Sequence, residues 1–389
     1  HSFPTRRSSD LNNPYNTLAK EVKDALEVQR NTKFVTRSKS INWLNENRDL
    51  ALKLLGYMTV EDMETLSKVD KETAEAKNES IIRSLDALRD NKLSEMYFDF
   101  FYTKNNRYIL DSTTINPQTD KQLHRWLVVP EGHIGKYSKN DPKDKELLAV
   151  AIAQAMGMGI DKKVTSEIIE FGSKLLDLDP AQIKLLRDGL NKGDLSKFIE
   201  KTDLHVEIEH LGHFLEAVDV LEMWTDKSTT EIETSISAEF DGLTNGFAIR
   251  LMQMPIIKDV YKWLQKVGVF EASSDNRTMN NVLGDKSVPF LDSYQTLADK
   301  IVKSNVNDIL DTLSEKKPTA ITQKQAQGIL NSLPIKDISG VITKELRDLF
   351  KNPFMVFNYA SSINSIKKNM GYVLRDKLLA DIAKGKRLE

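Results

Sequence analysis

Arg347, Lys351, Met355 and Tyr359 recur every four residues within RDLFKNPFMVFNYASS. Two cations on adjacent helical turns can grip a triphosphate and neutralise the charge that builds up as a phosphoryl group is transferred. A tyrosine beyond them offers a ring for stacking and a hydroxyl for reading a sugar. On an ideal helix each step drifts by roughly 40°, and twelve residues span about 18 Å. Pro353 disfavours helix at Asn352 and removes a backbone donor, so a kink or a fresh helix start is expected between Lys351 and Met355. The plainer alternative is a basic amphipathic helix with Tyr359 in the core.

Earlier in the chain lies EFDGLTNG, residues 239–246. The preceding TSISAEF alternates, with Ile236, Ala238 and Phe240 on one face, so it reads as a strand ending at Asp241. That places one carboxylate at a sheet edge, followed by Gly242, whose backbone can approach an ion or substrate closely. Magnesium takes hard oxygens and keeps several waters, so one or two carboxylates plus substrate phosphates can hold it. An ordinary Asp-Gly turn would look the same.

Three further clusters are weaker. His205, His210 and His213 in HVEIEHLGH match no standard zinc spacing. Gly157-Met158-Gly159 lacks the third glycine and preceding strand of a phosphate loop, and reads as a helix end. Tyr97, Phe98, Phe100, Phe101 and Tyr102 could stack bases, but such a run serves strand packing equally.

The elements that must position these residues are mostly helical. Apolar residues at spacings of three and four predict helices within residues 18–29, 41–58 and 59–90, then at 144–157, 162–176, 180–190 and 206–224, and from 245 onward. MYFDFFYTKNNRYILDST, residues 96–113, is aromatic and β-prone, and predicts two strands joined by a polar turn at Lys104–Asn106. Residues 115–132 read as loop and short elements, and PTAITQKQ and SLPIKDISG as surface loops. The class is α+β, mostly helical with a small antiparallel sheet.

Composition narrows the function classes. The 389 residues suffice for two or three domains, and the formal charge of −2 makes the whole chain no polyelectrolyte trap for DNA. Residues 341–389 hold ten Lys/Arg against five Asp/Glu, a local surplus compatible with phosphate contacts. With no cysteine, disulfide scaffolds and thiolate zinc sites are excluded. No apolar run reaches the roughly 18 residues of a membrane span; LLAVAIAQAMGMGI is interrupted by Gln154. Residues 1–11, HSFPTRRSSDL, resemble the translation of a sequencing-library adapter and are set apart as disordered. The Arg6-Arg7 pair is followed by no apolar export segment.

These motifs resemble those of single-subunit, phage and mitochondrial-type DNA-dependent RNA polymerases. That family's first catalytic motif has a metal-binding Asp, a Gly, and a second Gly four residues on, as do Asp241, Gly242 and Gly246. Its fingers helix carries Arg, then Lys, then Tyr-Gly, which Arg347, Lys351 and Tyr359 fit, with Met355 where the family often has Met. TKNNR at 103–107 resembles a Thr-x-x-Gly-Arg motif, and Asn116-Pro117-Gln118 follows it as in the family. The order along the chain agrees, and the outline covers roughly residues 90–375. Asn106 replaces the motif glycine, Ala360 replaces the glycine after the tyrosine, and Phe247-Ala248 stands where Gln-His often follows the first motif. In these departures the chain is closest in style to virion-packaged phage polymerases. The family's His-Asp, which supplies the second metal carboxylate, has no counterpart, since the sequence contains no His-Asp dipeptide.

The resemblance implies a right-hand architecture: a helical thumb region over 12–95, a palm with the first catalytic motif over 96–255, and truncated fingers over 256–389. It implies that Asp241, assisted by the Gly242 carbonyl, holds Mg2+. Arg347 and Lys351 would contact nucleotide phosphates, Tyr359 would lie near the template base and sugar pocket, and Met355 near the template. Arg107 would contact template or hybrid backbone. The implied partners are a DNA template, an RNA product and ribonucleoside triphosphates. The protein would act as a monomer away from membranes, in the host cytoplasm or packaged in the virion. As a fragment without the second carboxylate it is expected to be inactive alone. One alternative is a family A DNA polymerase fragment, which shares the Arg-Lys-Tyr helix. Its first motif carries a Glu soon after the Asp, and DGLTNG has none. The other is a non-enzymatic helical phage or nucleic-acid-binding protein.

Overall fold

The computed structural model describes residues 18–91, 95–103, 107–157, 159–160 and 165–239, with the single residues 351, 362 and 364. The chain divides into two compact units, His1–Glu239 and Phe240–Glu389, and the elements below all belong to the first. The helices expected from residue 245 onward lie outside the described residues.

Five helices occupy the N-terminal part: α1 (Lys20–Arg30), α2 (Ser38–Glu46), α3 (Arg48–Leu54), α4 (Val60–Met63) and α5 (Lys68–Asp90). The sequence reads 59–90 as one helix, yet it is broken between α4 and α5. Two competing starts explain the break. Thr59 and Asp62 form a reciprocal capping box on α4, and the Ser67 hydroxyl accepts the Asp70 N–H to start α5. A short strand unforeseen from the sequence, β1 (Phe34–Thr36), pairs antiparallel with β4 (Val128–Pro130). Three residues offer too short an alternation to stand out from the flanking helices.

The aromatic segment forms the expected hairpin, β2 (Asp99–Tyr102) against β3 (Tyr108–Asp111), with Tyr102 opposite Tyr108. Its turn residues 104–106 lie outside the described residues. A single turn, α6 (His124–Leu127), leads into β4, and β5 (Gly135–Ser138) pairs antiparallel with β6 (Glu231–Thr234). Among the described residues the β-structure is thus three separate antiparallel pairs. The strand expected over TSISAEF is corrected. The ladder covers 231–234, and residues 235–239 carry on without one. The in-out alternation is real for Ile232 and Thr234, both buried, but β5 ends opposite Glu231 and Thr234 and leaves later residues no strand to pair with.

Among the described residues of the unit, five more helices follow: α7 (Pro142–Met156), α8 (Thr165–Leu176), α9 (Pro180–Lys192), α10 (Ser196–Thr202) and α11 (Leu211–Thr225). Starts follow the chemistry of the sequence. Asp141 caps α7 with Pro142 in its first turn, and Asp179 and Gln182 make a capping box on α9, which ends at Gly193 in the left-handed conformation. Gly157 ends α7, as its sequence context predicts. α7 and α11 bury almost every residue of their central turns, so they form the middle of the core rather than one amphipathic face. α7 and α8 are in close contact because Gly172 has no side chain. A Cβ there would fall 1.9 Å from the Ala149 carbonyl oxygen.

Charged residues penetrate this core on one flank of α11. Glu216 is buried, and Arg37 Nε at 3.1 Å and Ser40 Oγ at 2.6 Å donate to it. One turn on, Arg187 of α9 donates to Asp219 at 2.5 Å and to Glu222 at 2.7 Å, and Lys39 reaches the same two carboxylates. The network fastens α2 and α9 to α11.

Candidate functional site

The TKNNR hairpin closes on its own motif residues. Thr103 N–H donates to the Arg107 carbonyl at 2.8 Å, and Arg107 N–H donates to Thr103 Oγ1 at 3.2 Å. Arg107 is exposed at this end of the hairpin, where a guanidinium can meet a phosphate. At the other end Arg30 pairs with Asp99 and donates to the Phe100 carbonyl at 2.9 Å. The aromatic run divides by strand period: Phe98 is buried edge-on against Phe34, whereas Tyr97 and Phe101 are exposed.

The Asn116-Pro117-Gln118 segment docks on this hairpin. Gln118 Oε1 accepts the Leu110 N–H and its Nε2 donates to the Tyr108 carbonyl, both at 2.9 Å, so one side-chain amide extends the ladder of β3. Asn116 folds the loop locally: its Oδ1 accepts the N–H groups of Gln118 and Thr119, and its Nδ2 donates to the Ser112 carbonyl.

The four residues of α6, HRWL, join the loop to the rest of the unit. His124 is buried; its Nδ1 accepts the Asn116 N–H and its Nε2–H donates to the Ser84 carbonyl of α5, each at 3.1 Å. Arg125 donates to the carbonyls of Pro117 and Gln118, and to Glu239 Oε1 at 2.6 Å. Trp126 lies flat on His213 of α11, with centroids 3.7 Å apart and planes within 3°. His213 Nε2 faces the Ser237 carbonyl at 2.9 Å; since a carbonyl only accepts, this nitrogen carries the proton. Burial drives the His213 pKa down to about 3, against a smaller opposing effect of the Ser237 carbonyl, so the ring is neutral at physiological pH.

Residues 235–239 run past these groups. Glu239, the last residue of the described stretch 165–239, is clasped by Gln154 of α7: Glu239 N–H donates to Gln154 Oε1 at 2.8 Å, and Gln154 Nε2 donates back to the Glu239 carbonyl at 2.9 Å. A side-chain amide again replaces the missing strand. Sequence reasoning took Gln154 only as an interruption of an apolar run, and it overlooked Arg125. A polar residue on an otherwise apolar helix was the available signal.

Of the sequence-predicted site residues, Arg107 and Lys351 are described. Lys351 has helical backbone and is half-buried. Asp241, Gly242, Arg347, Met355 and Tyr359 lie outside the described residues, as do Asn106, Gly246 and Pro353. The histidine trio is not a metal cluster: His213 and His210 both stack on Trp126, His205 is exposed, and among the described residues no group of three His, Asp or Glu side chains could hold a metal ion. No described helix is long and apolar enough to cross a membrane.

No curated protein matches the chain. Residues 21–128, which run from α1 through the hairpin and the Asn-Pro-Gln loop to the end of α6, match the family model of the virion DNA-directed RNA polymerase domain. Over that span the chain is similar to this polymerase domain.

Proposed function

We propose that this chain is part of a single-subunit RNA polymerase that adds ribonucleotides to an RNA 3′ end on a DNA template. The observation that carries the reading is the match over 21–128. The matched span lies outside the motifs at 239–246 and 347–359, yet points to the same family as they do. Further support comes from the geometry of the shared segment. The hairpin bearing Arg107 and the Asn-Pro-Gln loop are hydrogen-bonded to each other, and Arg125 joins the loop to Glu239, two residues before Asp241 in the sequence.

In this reading Asp241 and the Gly242 carbonyl supply hard oxygens of the kind Mg2+ prefers. Bound there with a partner carboxylate, the ion would stabilise the attacking and leaving oxygens of an in-line displacement. Arg347 and Lys351 hold the triphosphate and take up charge as pyrophosphate departs. Tyr359 stacks near the template base, Met355 borders the template, and Arg107 holds template or hybrid phosphates. The thumb, palm and fingers assignments, monomeric action and virion packaging belong to the same proposal. So does inactivity of these 389 residues by themselves, since one catalytic aspartate leaves a two-metal centre half-built.

Binding of ATP in the presence of Mn2+ tests the reading without requiring turnover. Asp241→Asn and Lys351→Ala are each expected to weaken binding about tenfold, the loss of one charge-assisted contact. dATP is expected to bind no more tightly than ATP. Binding indifferent to both substitutions would overturn the proposal. A strong preference for dATP would favour a DNA polymerase instead.

A further inference from the structure

The two strands of the Arg107 hairpin are tied to the rest of the unit separately. On the β2 side, Phe34 and Met96 exchange both backbone hydrogen bonds, at 2.8 and 3.0 Å, and Arg30 of α1 holds Asp99 and the Phe100 carbonyl. β3 has no strand on its outer edge among the described residues. The Asn116-Pro117-Gln118 loop lies along that edge instead. Gln118 takes the Tyr108 carbonyl and the Leu110 N–H, and Asn116 Nδ2 takes the Ser112 carbonyl at 3.1 Å. Alternate residues of an antiparallel strand turn their backbone groups to the same edge, so the two amides stand where a third strand would.

This bracket is itself held. His124 of α6 accepts the Asn116 N–H and donates to the Ser84 carbonyl of α5, and Arg125 donates to the carbonyls of Pro117 and Gln118. Pro117 adds a fixed φ between the two amides. A two-stranded hairpin alone is marginally stable, and a slip of one residue turns every side chain of a strand to the opposite face. With β2 fixed by α1 and β1, and β3 fixed by the loop, the body of the unit sets the register rather than the turn. Arg107 immediately precedes Tyr108, whose carbonyl Gln118 takes, and Thr103 holds the Arg107 N–H and carbonyl from the facing side. The Arg107 backbone is therefore fixed from both sides.

We infer that Asn116 and Gln118 are positioning residues for Arg107: they set the register of β3, and with it the face on which the guanidinium meets nucleic-acid phosphates. The inference rests on the proposed function, which gives Arg107 its ligand. Neither amide contacts nucleic acid; each acts through the backbone it holds. That role has a signature of its own. A cationic side chain on a phosphate releases counterions, so losing one such contact lowers the slope of log affinity against log salt by about one. Gln118 carries no charge. Its removal alters that slope only through a charged residue whose place it sets, and Arg107 adjoins the backbone it holds.

The experiment uses the full 389-residue chain and, as probe, a fluorescein-labelled DNA strand annealed to a short complementary RNA. Anisotropy titrations over a range of KCl concentrations give affinity and salt slope, and amide hydrogen exchange reports on the hairpin. Gln118→Met keeps the length of the side chain and removes both hydrogen bonds. It is expected to speed exchange in peptides covering 107–112 about tenfold, while α11 keeps its protection. It is also expected to weaken probe binding about fivefold and to lower the salt slope by about one. Arg107→Ala should weaken binding about tenfold with the same change of slope. In the Arg107→Ala background Gln118→Met should then cost nothing further. Asn116→Ala loosens the other end of the bracket and should act in the same direction, about threefold, which keeps the test decisive if Gln118→Met does not fold. Unchanged exchange over 107–112 would overturn the inference. So would unchanged affinity and slope in a chain where Arg107→Ala lowers both, and either result leaves the proposed function intact. Additive losses in the double variant would mean that Gln118 meets the nucleic acid itself or acts away from Arg107, and would overturn the inference as well. If Arg107→Ala changes neither affinity nor slope, the place of Arg107 in the proposed function falls and the positioning role falls with it.

Discussion

His213 shows how a residue singled out for one chemistry can serve another. Its spacing from His205 and His210 suggested metal ligation at best weakly; the folded chain instead buries it between Trp126 and the Ser237 carbonyl. Because burial lowers its pKa to about 3, the folded state refuses a proton that the unfolded chain accepts near the ordinary value of 6.5. Its contribution to stability is therefore complete above pH 6.5 and lost as pH falls toward 3. Between pH 7 and pH 5 that one group is expected to remove about 2 kcal/mol from the unfolding free energy. Urea titrations at the two pH values check this: His213→Gln should lose less stability over the interval than the wild type. Glu216 works in the opposite sense. Burial pushes its pKa up, and neighbouring Asp219 adds to that, while Arg37 and Ser40 oppose it. What legibility the sequence has at this scale follows residue type. Asp141, Asp179 and Pro180 announce helix starts because their chemistry is local. Arg125, Gln154 and Gln118 do not announce their roles, since Arg125 reaches a carboxylate 114 residues away, Gln154 reaches backbone 85 residues away, and Gln118 reaches backbone across a loop.

Elements were legible where their pattern was long. α7, α8, α9 and α11 fall close to the windows their apolar spacing marks, and the hairpin falls where aromatic alternation meets a polar turn. β1 and α10, three and seven residues long, were not. The strand at 231–234 was read too late in the chain because alternation continues past the end of its partner, and pairing rather than pattern sets where a ladder stops. Two features should dominate how the helices hold together. Gly172 permits α7 and α8 to touch backbone to backbone, so Gly172→Ala is expected to lower stability by about 3 kcal/mol, the upper range for overpacking. Arg187→Ala strands Asp219 and Glu222, although Lys39 still reaches both, and is expected to cost about 3 kcal/mol in denaturant titrations. Replacing Val69, which is exposed, should serve as the neutral control.

For the molecule as a whole, the α+β class with mostly helical content was legible from composition and period alone. Which family it resembles was not; that came from short motifs and is supported by a match confined to residues 21–128. The described unit His1–Glu239 brings the hairpin of Arg107, the Asn-Pro-Gln loop and Glu239 into one hydrogen-bonded frame. The remaining motif residues, from Asp241 to Tyr359, belong to the part of the chain whose placement would decide the question. The absence of cysteine makes that placement measurable, because spin labels go only where cysteines are introduced. Labels at Leu243→Cys and Asn358→Cys, with Mg2+ and ATP present, give the separation of the two motifs by pulsed electron resonance. A shared triphosphate site requires the residues to lie within about 15 Å, hence labels no more than about 25 Å apart once their arms are included. A separation of that size or less is the expected result; a larger one would mean that Asp241 and the Arg347–Tyr359 ladder do not meet on one nucleotide.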